Sequence, residues 1–329
     1  MENKVLETIK KYKIIEEGDK IVVAVSGGPD SISMLDILLK LKKRKKINCE
    51  LIVAHINHMI REEATEDEQF VENFCKKNNI KCYIKRIDVP KYANNNKIGH
   101  EEAGRVVRYQ FFDEIMKKES ANKIAIAHNK NDKVETMIMN MLRGSGISGL
   151  RGIEITRDNK YIRPIIEIER EEIESYCEEN NLKPRIDKTN FLNDCTRNKI
   201  RNIAIPYIKK EFNPNFIETM NRLSDVIVEE DNFMKKITEE NYNKIKISEK
   251  SNEIILDLKL FNKEEEIIRK RLILYTIAKS LGNTQNVEKI NIEDIIKLCS
   301  NNIGNKYLMP NKNIKVKIQK GKIYFLPVI

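Results

Sequence analysis

Residues Ser26-Gly27-Gly28-Pro29-Asp30-Ser31 put two hydroxyls, two glycines, a proline and an acid within six positions. An apolar run, Ile21 to Val25, precedes them, and Ile32, Leu35, Leu38 and Leu39 follow at helical spacing. A loop from a buried strand into a helix start presents unpaired backbone N–H groups and the positive end of the helix dipole. Gly27 and Gly28 let backbone approach a ligand closely. With the Ser26 and Ser31 hydroxyls they form an anion cradle suited to phosphate. No lysine stands where a Walker A loop would place one, and Asp30 sits inside the cradle instead. A carboxylate beside phosphates is repulsive unless a cation lies between them, which implies Mg²⁺ on Asp30 and phosphate oxygens. The plain alternative is a turn in which Asp30 only caps the helix.

The elements around this loop follow from the apolar pattern. Residues 21–25, 51–57, 82–88 and 123–128 read as strands, separated by segments of helical period such as DEQFVENFCKK. Strands alternating with helices predict an α/β fold, a Rossmann-like parallel twisted sheet with helices on both faces. Ligands of such sheets bind beyond the carboxyl ends of the strands. Ser26–Ser31, His55–Arg61 and His128–Glu135 fall there. After Asn213-Pro214 the pattern changes. Residues 216–247 read as a long helix, 252–261 as a strand, two helices follow, and the end reads as a hairpin around Gly321-Lys322. The expected division is a catalytic domain over 1–212, then a helical linker and smaller α+β domain over 213–329.

The chain has 329 residues and a net charge of +10. Six lysines and no acid lie between Asn301 and Ile329. Such a balance favours a polyanionic partner, nucleic acid first. No stretch approaches the ~20 apolar residues of a membrane span. The first residues, MENKVLETIKKYK, lack the apolar core of a signal peptide, so a cytoplasmic location is expected. Six cysteines form no C-x-x-C pair and four histidines show no zinc spacing. Reduced, mostly buried thiols and no metal–sulfur site are expected.

The Ser-Gly-Gly-x-Asp-Ser loop after a buried strand resembles the PP-loop of the N-type ATP pyrophosphatases. HINHMIRE (55–62), EEAGRVVRYQFF (101–112), AHNKNDKVETMIMNMLRGSGISGLRGI (127–153) and DKTNFLNDCTRNKIRNIAIP (187–206) follow in order. As a set they resemble the tRNA(Ile)-lysidine synthetases, well over about residues 18–210 and loosely beyond. That resemblance implies ATP with Mg²⁺ as cofactors, and tRNA(Ile) bearing a CAU anticodon and free L-lysine as substrates. The wobble cytidine would be adenylated on its carbonyl oxygen with release of pyrophosphate. The lysine side-chain amine would then displace AMP.

The resemblance also gives roles to side chains. Asp132 and Glu135 are three apart and share a helix face. They would hold the cationic lysine and help deprotonate its amine, where a solvated helix start is the plain reading. Arg108, four after Gly104, would meet the lysine carboxylate or a phosphate; a surface salt bridge is its alternative. Ser26, Gly27, Gly28, Pro29, Asp30, Ser31 and His55 would bind the nucleotide, with His58 and His128 nearby. Arg143 and Gly144 open a glycine-rich loop that would fold over ATP or the wobble base. Arg143, Arg197 and Arg201 would grip tRNA or the adenylate phosphate. The family commonly has two adjacent acids where this chain has Asn131-Asp132; if the first acid binds Mg²⁺, Asn131 would bind it more weakly. Many relatives continue into a further domain that grips the tRNA acceptor arm. The rival readings are a tRNA sulfur-transferase, disfavoured without paired cysteines, and an inactive tRNA-binding module, disfavoured by the intact loop and acids. A homodimer is compatible with the chain.

Overall fold

The structure is a computed structural model that describes residues 1–59, 64–185, 192–301 and 306–328. Helix α1 (Glu2–Tyr12) leads into strand β1 (Asp19–Ala24), which is followed by α2 (Pro29–Lys43), β2 (Cys49–Asn57), α3 (Ala64–Lys77) and β3 (Cys82–Arg86). Then come α4 (Val89–Asn96), α5 (His100–Glu119), β4 (Lys123–Ala125), α6 (Lys130–Leu142), α7 (Ile147–Leu150), β5 (Thr156–Arg157), β6 (Tyr161–Ile162) and α8 (Arg170–Glu179).

These six strands form one sheet in the order β3-β2-β1-β4-β6-β5. The first five are mutually parallel, and only β5 runs antiparallel to its neighbour. The parallel sheet expected from the sequence is therefore present. The short β5 and β6 carry no apolar run, so the sequence pattern does not reveal them. The apolar strands are buried on both faces, which explains why they show no alternation with polar residues. Ile21, Val23, Leu51 and Val53 face a core with α1, α2, α3 and α8. Val22, Ile52, Ala54 and Ile124 face the opposite core with Phe111, Phe112 and Ile115 of α5. Each buried Val or Ile side chain contributes about 1.5–3 kcal/mol. Helix α2 is buried on nearly all sides, through Ile32, Met34, Leu35, Ile37, Leu38 and Leu41. A single apolar stripe understates how deeply it is enclosed.

The chain leaves β1 for β2 on one side and later returns to β4 on the other. That reversal opens a crevice at the carboxyl ends of β1 and β4, where sheets of this kind bind ligands. Downstream lie α9 (Thr196–Lys199), a π-helical turn (Ile200–Ala204), α10 (Ile205–Glu211) and α11 (Phe216–Ile245). Asn213-Pro214 separates the last two. Ile200, Ile205 and Ile217 pack on Val134 and Ile138 of α6.

The chain divides into two compact units, Met1–Ile227 and Val228–Ile329. The second holds β7 (Lys246–Lys250), β8 (Glu253–Asp257), α12 (Leu258–Phe261), α13 (Glu266–Leu281), α14 (Lys289–Ser300), β9 (Tyr307–Asn311), β10 (Ile314–Gln319) and β11 (Lys322–Pro327). Its antiparallel sheet has the order β7-β8-β11-β10-β9. The terminal hairpin, β10 to β11, turns on Lys320 and Gly321, both at positive φ. Ile314, Val316, Ile318, Ile323 and Phe325 face the core of α13 and α14, and the alternate lysines lie on the other face. Among the described residues, no helix is long and apolar enough to cross a membrane. The cysteines are free; Cys195 is exposed, Cys82 half-buried and the others buried.

Candidate active site

The loop after β1 is held by its own hydroxyls. Ser26 N donates to Ser31 Oγ at 3.1 Å, the two hydroxyls lie 3.2 Å apart, and Ser31 Oγ donates to Gly28 O at 3.0 Å. Gly27 has φ +95°, a conformation L side chains rarely adopt. Gly28 has an ordinary φ of −75° at the start of α2, with Pro29 in the first turn and no side-chain cap. Only one glycine is thus required by the backbone itself. Gly27→Ala is expected to cost about 1–2 kcal/mol from the left-handed conformation, whereas Gly28→Ala should leave stability nearly unchanged. Urea unfolding of the two variants checks this, and equal losses would refute the distinction.

At the end of β4 the chain enters α6 through a capping box. Asn129 Oδ1 accepts from Asp132 N at 2.9 Å, and Asp132 Oδ2 accepts from Asn129 N at 3.1 Å. Asn129 Nδ2 also donates to Asp30 Oδ1 at 2.7 Å. The same asparagine therefore caps α6 and ties it to the loop after β1. Sequence reasoning missed it, although an Asn three residues before an acid at a helix start is a capping signal.

Asp132 and Glu135 do share a helix face, but it is not a solvated one. Glu135 is fully buried and Asp132 nearly so. Arg197 Nε reaches Glu135 at 2.8 Å and its Nη2 reaches Asp132 at 3.1 Å. Arg201 Nε donates to Glu135 Oε1 at 2.7 Å, and its Nη2 lies 3.0 Å from Asp132 and 2.8 Å from Glu135. Arg170 Nη2 adds a contact to Glu135 at 3.3 Å. Burial would raise the Asp132 carboxyl, but Arg197, His128, Arg170 and Arg201 overcome that and hold it below the ordinary range. Arg197 and Arg201 themselves are raised, because the two carboxylates outweigh the burial that opposes their charge. Arg170 is not among the residues the sequence singles out. A cation in the first turn of α8 opposes the helix dipole, which is a retrospective sign that acids elsewhere hold it. Asn131 Oδ1 accepts from Arg170 N at 3.0 Å. The residue that departs from the family pattern thus satisfies an orphan N–H at the start of α8.

Asp30 forms no ion pair with a cation among the described residues. Burial, then the Asp132 charge, pushes its carboxyl up to about 6, against the Asn129 hydrogen bond and the more distant Arg170 and Arg201. Arg108 projects into the same cavity with solvent access, yet protein surrounds it closely enough for burial to lower its pKa. It makes no hydrogen bond or ion pair with a described residue. His55 Nδ1 lies 2.8 Å from the Val25 carbonyl, which can only accept, so Nδ1 carries the proton. Burial lowers His55 and pushes His58 and His128 down to about 4, so the latter two are neutral at pH 7. His128 Nδ1 accepts from Arg163 Nε at 2.9 Å.

Ser26, Gly28, Pro29, Asp30, Ser31, His55, His58, Arg108, His128, Arg170 and Arg201 line one cavity of about 1560 Å³. That exceeds the ~300–1,000 Å³ usual for a single small ligand, so it has room for more than one reactant. Arg143 and Gly144 do not line it. They are exposed at the far end of α6, about 16 Å along the axis from Asp132 at 1.5 Å per residue. Ile60, Arg61 and Glu62 of the second sequence block, and residues 187–191 of the last, lie outside the described residues. On the rim, Arg185 N donates to Gly27 O at 3.0 Å and Arg185 Nε meets Asp67 at 3.1 Å.

The donor set can be tested against ATP and Mg²⁺. The uncapped α2 start offers N–H groups to phosphate, and Asp30 offers an unneutralised carboxylate beside them. Among the described residues, no group of three or more His, Cys, Asp or Glu side chains could hold a metal by itself. Mg²⁺ commonly takes one or two carboxylates and completes its shell with substrate phosphates and water. The residues fit a metal that arrives with the nucleotide.

Residues 1–208 match the PP-loop domain family. The chain is 44% identical over 312 residues to the tRNA(Ile)-lysidine synthase of Clostridium acetobutylicum, covering 94% of this chain and 67% of that protein. It is 43% identical over 322 residues to that of Clostridioides difficile, covering 98% and 69%. A solved U34-tRNA thiolase from Methanococcus maripaludis superposes with a TM-score of 0.58 at 21% identity, covering 69% of this chain and 77% of that one. The last is a likeness of fold.

Proposed function

This chain belongs to the PP-loop tRNA(Ile)-lysidine synthases, and we propose that it joins free L-lysine to the wobble cytidine of a tRNA(Ile) with a CAU anticodon, using ATP. The carbonyl oxygen of the base attacks the α-phosphorus of ATP and pyrophosphate leaves. The lysine ε-amine then attacks the activated ring carbon, loses a proton, and AMP departs with the carbonyl oxygen. The observation that carries this reading is one hydrogen-bonded cluster of Asp30, Asn129, Asp132, Glu135, Arg197 and Arg201, of which Asp30 and Arg201 line the cavity beside the N–H cradle.

The N–H groups at the start of α2 and the Ser26 and Ser31 hydroxyls hold the triphosphate. Asp30 would hold Mg²⁺ with phosphate oxygens, where the ion supplies charge neutralisation for the departing pyrophosphate. Arg108 has no carboxylate partner among the described residues and faces the cavity, where it would take an anion: the lysine carboxylate or the α-phosphate. Asp132 and Glu135 serve the lysine ammonium. Every one of their carboxylate oxygens already accepts a hydrogen bond, so lysine must replace a cation rather than fill a gap. Arg197, the most exposed of the three arginines at 33%, is the one to yield. An adenylate phosphate is the anion that would draw it away.

We assign residues 1–212 as the catalytic domain and 213–329 as a helical linker and small α+β domain that grips tRNA. Support comes from the solvent face of the second sheet, where Lys315 lies 3.9 Å over the Tyr307 ring and Lys317 5.2 Å over Tyr324. Changing Lys315, Lys317 and Lys322 to Ala should flatten the salt dependence of tRNA affinity, by roughly one unit or slightly less for each phosphate these lysines neutralise. An unchanged slope would count against this face.

Incubation with ATP, labelled lysine and a tRNA(Ile) transcript bearing CAU tests the function. Label should enter tRNA with AMP and pyrophosphate in equal amounts, and omission of any reactant should abolish it. Label in an elongator methionine tRNA to the same extent, or none in either, would overturn the reading.

A further inference from the structure

We infer that the outward face of α10 and the π-helical turn before it is a stacking platform for unpaired bases of the tRNA anticodon loop. This rests on the tRNA reading above and adds to it a surface outside the cavity.

The segment from Thr196 to Phe212 inverts the usual arrangement of a surface helix. Its two arginines, Arg197 and Arg201, turn inward to the buried acids. Its isoleucines Ile200 and Ile205 pack on α6. On the outside it exposes Ile203 at 55%, Tyr207 at 60% and Phe212 at 74%. A water-facing helix surface is ordinarily polar, and clustered exposed apolar side chains mark an interaction site. The Tyr207 and Phe212 rings meet edge to face, 5.9 Å apart and tilted by 65°, so they form one exposed aromatic cluster rather than two isolated side chains.

Two features point to RNA as the occupant. Besides the two inward arginines the segment carries three lysines and one acid; Lys210, paired with Glu211 yet 82% exposed, stands one turn from Tyr207, and Lys209 reaches Glu171. Aromatic faces interleaved with lysines match bases and phosphates. The platform is also continuous with the cavity, since Asn202 and Pro206, next to Ile203 and Tyr207, line its wall. A cytidine delivered into the cavity has unpaired neighbours on either side in its loop. They must rest on whatever borders the mouth. The inward arginines then serve the acids, and contact with tRNA passes to the aromatic side of the same segment.

The test uses the full chain and a tRNA(Ile) transcript with 2-aminopurine beside the wobble cytidine. Unaltered protein should quench the fluorophore by stacking. Tyr207→Ala and Phe212→Ala should relieve the quench and weaken tRNA affinity by about 5- to 100-fold each. The salt slope should stay unchanged, because stacking releases no counterions. Tyr207→Trp and Phe212→Trp should keep both quench and affinity. Unquenched fluorescence with unaltered protein, or alanine variants of full affinity, would overturn the inference. So would a dimer that the alanine variants split while tRNA affinity persists, since the face would then join two copies of this chain. Failure of unaltered protein to attach lysine at all would instead overturn the underlying reading.

Discussion

Asp30→Asn is expected to abolish pyrophosphate release from ATP in the presence of magnesium and tRNA while making the protein more stable at neutral pH. The substitution keeps shape and an oxygen that can accept from Asn129 Nδ2, which now lies 2.7 Å from Asp30 Oδ1. It removes the charge. Loss of a group that neutralises a developing phosphate charge costs about 10²–10³-fold in rate, and loss of the metal's anchor adds to it. The stability gain has the opposite cause. Burial and the Asp132 carboxylate push the Asp30 carboxyl up to about 6, so in the folded protein its ionised form is disfavoured relative to the unfolded chain. The destabilisation is present above pH 6 and disappears as pH falls below the ordinary carboxylate range, where Asp is protonated in both states. Urea midpoints of the two proteins should therefore separate at pH 7–8 and converge in acid. A variant that kept its pyrophosphate release, or one less stable at neutral pH, would show that Asp30 is a structural cap and not the anchor of a cation. Affinity for tRNA should remain, because Asp30 sits within the cavity and not on the basic faces.

Much of this arrangement is legible in the sequence, and the reasons for the rest are physical. The apolar runs at 21–25 and 51–57 must be buried on both faces, so the parallel sheet follows, and the loop after the first strand must lie at its carboxyl edge. The pairs Asp132/Glu135 and Arg197/Arg201 are each visible as helix-face spacings. Neither spacing says that the two faces meet. More than sixty residues separate them, and only the packing of Ile200 and Ile205 on Val134 and Ile138 brings them together. Arg170 is invisible for the same reason. The family resemblance draws attention to charge at Asn131 and suggests a weakened metal ligand; its observed partner is a backbone N–H of α8, a contact that no local pattern encodes. Arg143 and its neighbouring glycines read as a loop that folds over ATP or the wobble base; the thirteen-residue helix α6 places it at the end away from the cavity, a separation no local pattern encodes.

Glu135→Gln should be the most destabilising single substitution in the first unit. Glu135 has no solvent exposure, and it accepts from Arg197, Arg201 and Arg170. An amide would turn donors toward Arg197 Nε or Arg201 Nη2, leaving buried guanidinium groups without an anion. Breaking one side of a buried ion cluster costs about 3–5 kcal/mol. For a unit of this size that is a fall in Tm of roughly 6–20 °C. Because the loss is mainly uncompensated charge, it should be recoverable. Glu135→Met combined with Arg201→Met removes a charge from each side and replaces both with apolar volume, so most of the lost stability should return. Activity should not return with it. Without Glu135 the lysine ammonium loses half of its anionic seat, and without Arg201 the loop loses a cation near Asp30. The double variant therefore separates the two functions of the cluster. A folded, stable and inactive protein would assign the acids to chemistry. Recovery of lysine transfer along with stability would mean that the cluster only fastens α9 and the π-helical turn to α6.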